Sequence, residues 1–498
     1  MKKSLYLQKF KGLLFDHLST KQIIAKNTFW LFAAEFLGRF LKFFLVVFTA
    51  RILGVTDYGK LSFALAFAMF FTVFSDLGIS TIVIREFSRD RSQERWFPAL
   101  ISLKIILSLV VTALIVALSF FVTSDPSTRT AIWIFALCIF SYGITTIFHS
   151  FFNARQRMEY GSFLSIVESA LLVGVAFFVL FTFPSIESVS WAYAVSALVA
   201  LILTLFLFRI KIAPLRLSIN PAIWKKFLWM AFPVGLVGFL SGVFNGVDSI
   251  TLGIFGQITQ VGWYNAAYSI FNAIFLPAAV IVRVFTPVLS RAFKESANQL
   301  QKVYNFQMEI MVFLAFGFLS GGLALSSKII DFMYDPSYFP AVFALNFLLP
   351  AAVFFFLSYV PNLLLISCDR QREVFIGTLL AVATNVILNL VLIPRFSLYG
   401  TALATFTASA VMFFMLFYFV RTLTPVRFLT PSFIVSLLSA GVAGVFTYLF
   451  LSIPQIAQLH VLTAVMVGGT MYLLMFAAFR FFVSKLFQNK SRHATKDV

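Results

Sequence analysis

The 498-residue chain has little of what soluble enzymes usually depend on. Charged residues make up only 11% of it, there are four histidines, and its two cysteines, Cys138 and Cys368, both lie in apolar stretches. So few thiol and imidazole groups exclude a disulfide framework and a zinc site. No G-x-x-x-x-G-K-[ST] phosphate loop occurs, and no polar stretch is long enough to fold as an ATPase domain. Any energy source must therefore be an ion gradient, a membrane potential or a substrate gradient.

Apolar residues dominate what is present. They form 60% of the chain, with 66 phenylalanines and a mean hydropathy of +0.95. A soluble globular protein would leave most of this apolar surface facing water. A membrane-spanning helix needs about 20 mostly apolar residues, and blocks of that size recur from near Ile23 to near Leu486. The composition predicts an all-α integral membrane protein without a separate soluble domain.

The strong positive charge has an explanation other than nucleic acid binding. Lys and Arg number 38 against 19 acidic residues, which gives a net charge of +19. These basic residues lie in short connections between apolar blocks rather than along one polar face, as the positive-inside rule describes. Residues 1–24 lack a cleavable apolar signal and are predicted to be a cytoplasmic N-terminal segment. No nucleic acid partner is expected.

Block length, turn residues and charge breaks predict fourteen transmembrane helices. The predicted intervals are 25–50, 59–84, 97–122, 130–153, 160–183, 187–208, 225–254, 261–289, 304–329, 339–367, 372–394, 397–420, 431–452 and 459–484. With the N-terminus inside, 28 of the 38 Lys and Arg fall in cytoplasmic segments, five on the outer side and five within spans. Because an error of one helix would scramble this alternation, both termini are predicted to be cytoplasmic.

An internal repeat organises these helices. The triplet Arg-Gln-Arg at 155–157 follows the fourth helix, and the same triplet at 370–372 follows the tenth. Likewise Ile-Leu-Gly at 52–54 is echoed by Ile-Phe-Gly at 254–256. Six helices separate the copies, so the two halves have the same orientation in the membrane. We predict an N-lobe, a linker, a C-lobe, a final helix pair and a cytoplasmic tail at residues 25–210, 211–224, 225–420, 421–484 and 485–498.

Several segments resemble a known family. Residues 50–60 read Ala-Arg-Ile-Leu-Gly-Val-Thr-Asp-Tyr-Gly-Lys, residues 74–79 read Phe-Ser-Asp-Leu-Gly-Ile, and residues 398–404 read Leu-Tyr-Gly-Thr-Ala-Leu-Ala. Together with the helix count and the repeat, they resemble bacterial polysaccharide transporters, the oligosaccharide flippases of the multidrug/oligosaccharidyl-lipid/polysaccharide exporter superfamily. The resemblance implies two lobes in a V that opens alternately to each side without ATP hydrolysis.

The first predicted helix carries three charges. Glu35, Arg39 and Lys42 fall within a 60° arc at 100° per residue, and holding them in lipid would cost roughly 8 to 10 kcal/mol. One interpretation is that Arg39 and Lys42 line a central cavity that receives pyrophosphate and sugar, with Glu35 positioning Arg39 as an i, i+4 pair. The other is a structural ion-pair cluster that holds the first helix against the second through Asp76.

Other intramembrane charges are also candidates for function. Arg283 in helix eight could grip a diphosphate opposite Arg39, or it could pair structurally with Asp248. Glu168 is either a buried protonated carboxyl group or a proton-coupling site. Lys104 and Arg480 are expected to extend to the membrane interface.

Asp248 could instead bind a cation. Asn385 and Asn389 share a face of helix eleven, and Thr401 and Thr405 share a face of helix twelve. With Asp248 they would supply the all-oxygen ligands that a hard cation prefers. The arrangement is similar to the sodium site of lipid II flippases, with Asn389 where an acidic residue would add charge. The alternative is that these amides and hydroxyls simply bond across packed helices.

The resemblance implies a flippase of the bacterial inner membrane that moves undecaprenyl-pyrophosphate-linked oligosaccharides to the outer leaflet, for surface polysaccharides such as lipopolysaccharide O-antigen. Expected partners are the polyprenyl-linked glycan, membrane lipids and other polysaccharide-assembly proteins. No cofactor is expected beyond a coupling Na+ or H+. The alternatives are a lipid II or multidrug exporter on the same scaffold and a membrane polymerase or ligase. An enzyme is disfavoured because His149 and His460 lie on opposite sides of the predicted membrane.

Overall fold

A computed structural model describes residues 20–494, and the regular elements in that part of the chain are all helical. The predicted all-α membrane fold is confirmed. We number its α-helices in chain order: α1 Thr20–Phe70, α2 Thr72–Asp76, α3 Ile79–Arg89, α4 Phe97–Val122, α5 Pro126–Ala154, α6 Met158–Thr182, α7 Ile186–Lys211, α8 Pro221–Ile254, α9 Ile258–Ala273, α10 Leu276–Glu295, α11 Ala297–Met333, α12 Ala341–Ser367, α13 Gln371–Phe396, α14 Leu398–Leu423, α15 Pro431–Leu451, α16 Pro454–Ala457 and α17 Val461–Ala494. Short 3-10 helices cover Arg91–Trp96 and Pro336–Tyr338.

Thirteen of the described helical stretches are long and apolar enough to cross a membrane. The first, Phe29–Arg89, contains 61 residues. At 1.5 Å per residue this is about 90 Å, three times the thickness of the hydrocarbon core. Gly54 interrupts α1 with φ 74° and ψ 170°, which divides it into a first arm (residues 20–53) and a second arm (residues 55–70). A count of fourteen spans follows when the two arms are taken as separate crossings.

The observed helices follow the predicted intervals closely. Helix α4 covers the predicted residues 97–122 end to end. The largest extension at a helix start is in α11, which begins at Ala297 rather than at 304. The Ser296 hydroxyl accepts a hydrogen bond from the Gln299 N–H at 3.2 Å. This N-cap lets a polar segment continue the helix beyond its apolar part.

The second predicted span is broken in a way that its hydropathy does not show. Between α2 and α3, Leu77 and Gly78 take φ values of 48° and 81°. A Cβ at Gly78 would lie 2.7 Å from the Ala231 carbonyl oxygen in α8, so the backbones meet without room for a side chain. The break therefore depends on packing against α8 as well as on the local sequence.

Helix α8 presents a face of glycines to the second span. A Cβ placed on Gly235 would lie 2.6 Å from the Leu77 carbonyl oxygen, and one on Gly253 would lie 2.0 Å from the Phe63 ring. Small residues of this kind let membrane helices approach until their backbones touch. Packing consequently joins α8 to the helices that precede it.

The chain divides by internal packing into two compact units, residues 1–262 and residues 263–498. The first holds α1 to α8 and the start of α9, and the second holds the remainder. Packing thus places the seventh predicted span in the first unit. The internal repeat instead predicts a boundary between the lobes at residues 211–224. That boundary concerns the duplicated halves of the sequence, and it stays a prediction.

The loops that follow the fourth and tenth predicted helices have the same backbone geometry. Gln156 and Asp369 both take φ 59°, and in each loop the next residue, Arg157 or Arg370, donates its N–H to the carbonyl oxygen five residues earlier at 2.8 Å. The shared geometry supports the repeat. It also pairs Arg157 with Arg370, so the predicted alignment of the two Arg-Gln-Arg triplets is wrong by two residues. The left-handed residue fixes the register, because it ends the helix at the same point in both copies.

Candidate functional site

The predicted charged face lies on the first arm of α1. The Arg39 Nη2 donates to the Glu35 Oε1 at 2.7 Å, so the i, i+4 pair is present. The Arg39 side chain is 49% exposed and that of Glu35 is 30% exposed. Lys42 is also exposed. Because each charge facing hydrocarbon costs about 2.5 to 3.5 kcal/mol, exposed charges on a spanning helix favour an aqueous surface.

Two different surfaces flank this charged face. On one side Gly38 packs against α6, where its Cβ would lie 3.2 Å from the Ser169 hydroxyl. On the other side, about 60° to 180° around the helix from Glu35, runs a row of exposed phenylalanines. Consecutive rings in this row have centroids 4.8 to 6.2 Å apart; its members are Phe32, Phe36, Phe40 and Phe44. The first arm therefore presents a charged strip between a packed edge and an aromatic edge.

Helix α6 brings a further carboxylate close to the charged strip. Glu168 is half-buried next to the Tyr142 hydroxyl of α5, and it interacts electrostatically with Lys42. The sequence points to Glu168 but does not indicate what surrounds it. Tyr142 was not anticipated, since nothing in a single helix indicates which tyrosine of a neighbouring helix will reach it.

Asp76 has a different partner from the one predicted. Its Oδ1 accepts a hydrogen bond from the Lys104 Nζ at 2.8 Å, and the same amine donates to the Ser75 carbonyl oxygen at 2.9 Å. Lys104 is fully buried, so the expectation that it extends to the interface is wrong. Where the helix breaks after α2, the Ser75 carbonyl group and the Asp76 carboxylate lie side by side. The Lys104 amine donates a hydrogen bond to each of them. Asp76 thus pairs with α4, and its predicted link to the charged strip stays a prediction.

Arg480 also has a protein partner that the sequence did not indicate. In the second unit, its Nη2 donates to the Glu309 Oε2 of α11 at 2.6 Å. Its side chain is 44% exposed and that of Glu309 is 11% exposed. The pair links α17 to α11, in place of the predicted extension of Arg480 to the interface.

Arg283 lies in α10, in the second unit, where it is exposed. Four residues later the same helix contains Pro287. Proline has no N–H to donate to the Arg283 carbonyl group, which weakens the helix at this point. The predicted role of Arg283 in gripping a diphosphate stays a prediction.

The amides and hydroxyls of the predicted cation site are all buried in the second unit. The Asn389 Nδ2 donates to the Asn385 Oδ1 at 3.3 Å within α13. On α14, the Thr405 hydroxyl lies 3.3 Å from the Tyr264 hydroxyl of α9, and Thr401 is fully buried. Tyr264 was missed because its sequence position carries no motif. Asp248 is buried in α8 of the first unit, so the complete ligand set stays a prediction.

The fold and the sequence both have known relatives. Among solved structures, the fold is similar to lipid II flippase MurJ in an inward closed conformation, with a TM-score of 0.76, 16% identity and coverage of 92% of this chain and 99% of that one. It is also similar to an inward-facing multidrug resistance MATE family transporter of the MOP superfamily, with a TM-score of 0.62, 13% identity and coverage of 77% and 94%. The architecture is thus that of a multi-pass membrane protein with the MurJ and MATE fold.

The profile of the family described as polysaccharide biosynthesis protein matches residues 24–293, and the chain belongs to that family. Similar proteins include the probable flippase AglR of Haloferax volcanii, 25% identical over 64% of this chain and 67% of AglR. The probable low-salt glycan biosynthesis flippase Agl15 of the same organism is 23% identical over 78% of this chain and 81% of its own length. The predicted membership of a polysaccharide transport family is confirmed as membership of this polysaccharide biosynthesis family, and the two similar flippases support the predicted flippase role.

Proposed function

We propose that this flippase moves an undecaprenyl-pyrophosphate-linked oligosaccharide from the cytoplasmic to the outer leaflet by alternating access, without enzymatic chemistry. The observation that carries the proposal is the charged strip, three ionisable groups on one exposed face of a spanning helix. Sugars and phosphates cannot cross hydrocarbon unaided, because each polar group would lose its hydrogen bonds to water. A hydrated path lined by the strip removes that barrier while the lipid tail stays in the bilayer.

The chemistry of the strip suits a phosphate-containing head group. On α1, Arg39 and Lys42 supply two cations against the single carboxylate of Glu35, so the strip itself is net positive, with Glu168 of α6 beside Lys42. The Glu35 pair leaves part of the planar Arg39 guanidinium, with its remaining N–H donors, available to an oxyanion. Arg283 would supply a further cation from the second unit. A positive face also disfavours cationic drugs as substrates, since like charges raise the cost of binding.

Location and partners follow from this proposal. The membrane would be a bacterial inner membrane with both termini in the cytoplasm, although the similar flippases named above are archaeal. The glycan would serve surface polysaccharides such as O-antigen, together with other assembly proteins of that membrane. Lipid II is the alternative substrate, since the lipid II flippase MurJ shares the fold.

The proposal is tested by following fluorescent polyprenyl-pyrophosphate glycan in reconstituted vesicles, with lipid II as a parallel substrate. We expect Arg39→Ala and Arg283→Ala each to lower the translocation rate at least tenfold, and Arg39→Lys to lower it less because the charge remains. Arg421→Ala removes an exposed arginine from the last turn of α14 and is the matched control. Unchanged rates in both arginine variants would reject the binding role of these residues.

The same vesicles test ion coupling. If Asp248 and the amide and hydroxyl groups of α13 and α14 bind sodium, an imposed sodium gradient should accelerate translocation by the native protein. The same gradient should have no effect on the Asp248→Asn variant. An imposed pH gradient should act on the native protein but not on Glu168→Gln if Glu168 carries the proton. Indifference of the native protein to both gradients would reject both coupling sites.

A further inference from the structure

The start of the second span and the start of α9 touch through their backbones. A Cβ placed on Gly59 would lie 2.1 Å from the Ile258 carbonyl oxygen, and one placed on Gly262 would lie 2.3 Å from the Val55 carbonyl oxygen. Each glycine therefore lies where any side chain would push the two helices apart. We call this contact, formed by residues 55–59 and 258–262 within the first unit, the glycine seam.

The two sides of the glycine seam are equivalent. Val55 corresponds to Ile258 and Gly59 to Gly262, each pair being 203 residues apart. The Thr56 and Thr259 hydroxyl oxygens, again 203 residues apart, lie 3.4 Å from each other. A contact whose halves are exchanged by the internal repeat must lie on the pseudo-two-fold axis that relates them. The seam therefore lies on that axis.

The position of the seam along the axis is also defined. A helix break at a glycine with φ 74° precedes each side, with Gly54 directly before Val55 in one copy and Gly256 two residues before Ile258 in the other. Both breaks follow the first helix of a repeat, and the distribution of Lys and Arg predicts that this end of the helices faces outward. The seam thus blocks the axis at the predicted outer end, the side to which a flippase must release its substrate.

We propose that the glycine seam is the outer closure of this transporter and that it must part in each cycle. The proposal rests on the proposed flippase function. An outer closure must pack tightly when shut and still come apart in each cycle. At Gly59 and Gly262 the two helices meet through backbone atoms, and the Thr56 and Thr259 hydroxyl oxygens lie 3.4 Å apart. Because glycine has no side chain, nothing has to be withdrawn at these two positions when the helices separate.

A nearby ion pair holds one side of the seam to its own half of the chain. The Lys60 Nζ lies 3.2 Å from the Asp125 Oδ1 in the connection between α4 and α5. Partial burial opposes ionisation of Asp125, but hydrogen bonds from Thr128 and the charge of Lys60 outweigh it and lower the pKa of this carboxyl group. The Asp125 carboxylate therefore stays ionised at neutral pH beside the Lys60 amine. The second span is expected to move with α4 and α5 when the seam parts.

A reversible cross-link tests the closure. In a protein carrying Cys138→Ala and Cys368→Ser, we expect Thr56→Cys/Thr259→Cys to form a disulfide on mild oxidation, because the two hydroxyls already approach closely. Oxidation should lower glycan translocation at least tenfold, and dithiothreitol should restore it. The control Ser320→Cys/Gly444→Cys joins α11 to α15, where the two Cβ atoms would be 3.5 Å apart, and its disulfide should leave translocation unchanged.

Two results would overturn the proposal. One is full translocation by the oxidised seam variant. The other is failure of the Thr56→Cys/Thr259→Cys pair to cross-link under conditions in which the control pair does. Absence of glycan translocation by the unsubstituted protein would instead reject the proposed function, and the seam would then be judged by accessibility alone.

Accessibility gives that independent measurement. Val55 is buried, with its Cγ1 3.1 Å from a Cβ placed on Gly262, so Val55→Cys should react with a membrane-impermeant maleimide only when the seam parts. Adding Gly59→Ala should raise the labelling rate at least threefold, because the new methyl group prevents closure. Gly174→Ala, whose Cβ would meet no atom within 4 Å, should leave the rate unchanged. No labelling of Val55→Cys, even with Gly59→Ala, would overturn the proposal.

Discussion

At the scale of single residues, charges buried inside the described spans find partners on neighbouring helices. Lys104 is the clearest case, since its amine reaches both the Ser75 carbonyl oxygen and the Asp76 carboxylate. Breaking a buried pair costs more than the pair itself contributes, because one charge is left uncompensated. Lys104 of α4 therefore stabilises the helix break between α2 and α3.

Lys104→Met should destabilise the protein by about 3 kcal/mol, because Asp76 would lose the cation that compensates its burial. The free energy of unfolding in detergent, measured with a chemical denaturant, checks this. The double variant Asp76→Asn/Lys104→Met should lose less free energy of unfolding than Lys104→Met alone.

The exposed pair Arg85–Glu86 provides the control for this measurement. Arg85→Ala should change the free energy of unfolding by less than about 1 kcal/mol, as is usual for surface ion pairs. Equal losses in Lys104→Met and in the double variant would contradict a coupled pair.

At the scale of helices, the glycine face of α8 determines which elements pack together. Its glycines meet the second span at very different distances, from backbone contact at Gly235 to a side-chain contact of 3.8 Å at Gly238. Membrane helices gain little from apolar burial against one another, so close packing of this kind carries the association. A larger side chain is therefore excluded at some glycines of this face, such as Gly235, but not at others, such as Gly238.

Gly235→Ala should destabilise the protein by about 1 to 3 kcal/mol, since the added methyl group would meet the Leu77 backbone and both helices would have to shift. Gly238→Ala lies on the same helix three residues away and makes only ordinary contacts. It should be neutral or stabilising by up to about 1 kcal/mol, because alanine favours the helix. Thermal unfolding of both variants in the same detergent gives the comparison, and equal destabilisation would contradict a close approach limited to Gly235.

At the scale of the whole molecule, the distribution of basic residues predicts the topology of the chain. In a cysteine-free background, Gln156→Cys and Asp369→Cys should react with impermeant maleimide only from the cytoplasmic side. Ser124→Cys and Ser452→Cys should react only from the outer side. All four positions are exposed ends or loops, so access depends on the side of the membrane. Labelling of Gln156→Cys and Ser124→Cys from the same side would contradict the predicted crossing of α5.

Much of this architecture can be read from the sequence because each span is a long apolar block ended by charges or turn residues. The Glu35–Arg39 pair was predictable because it lies within one helix, where spacing fixes geometry. The partner of Lys104 was not, since depth along a helix does not say which neighbour the side chain will meet. The alignment of the two Arg-Gln-Arg triplets was wrong because the same three residues lie at different positions relative to the left-handed residues Gln156 and Asp369.

The glycine seam has a consequence for the origin of the chain. A surface that meets its own equivalent across a two-fold axis is isologous, the form of contact made by two identical subunits. Val55 against Gly262 and Ile258 against Gly59 are such reciprocal contacts. Two copies of a half-length ancestor could have used this same patch to dimerise before their genes fused, so the covalent link would have preserved an older subunit interface.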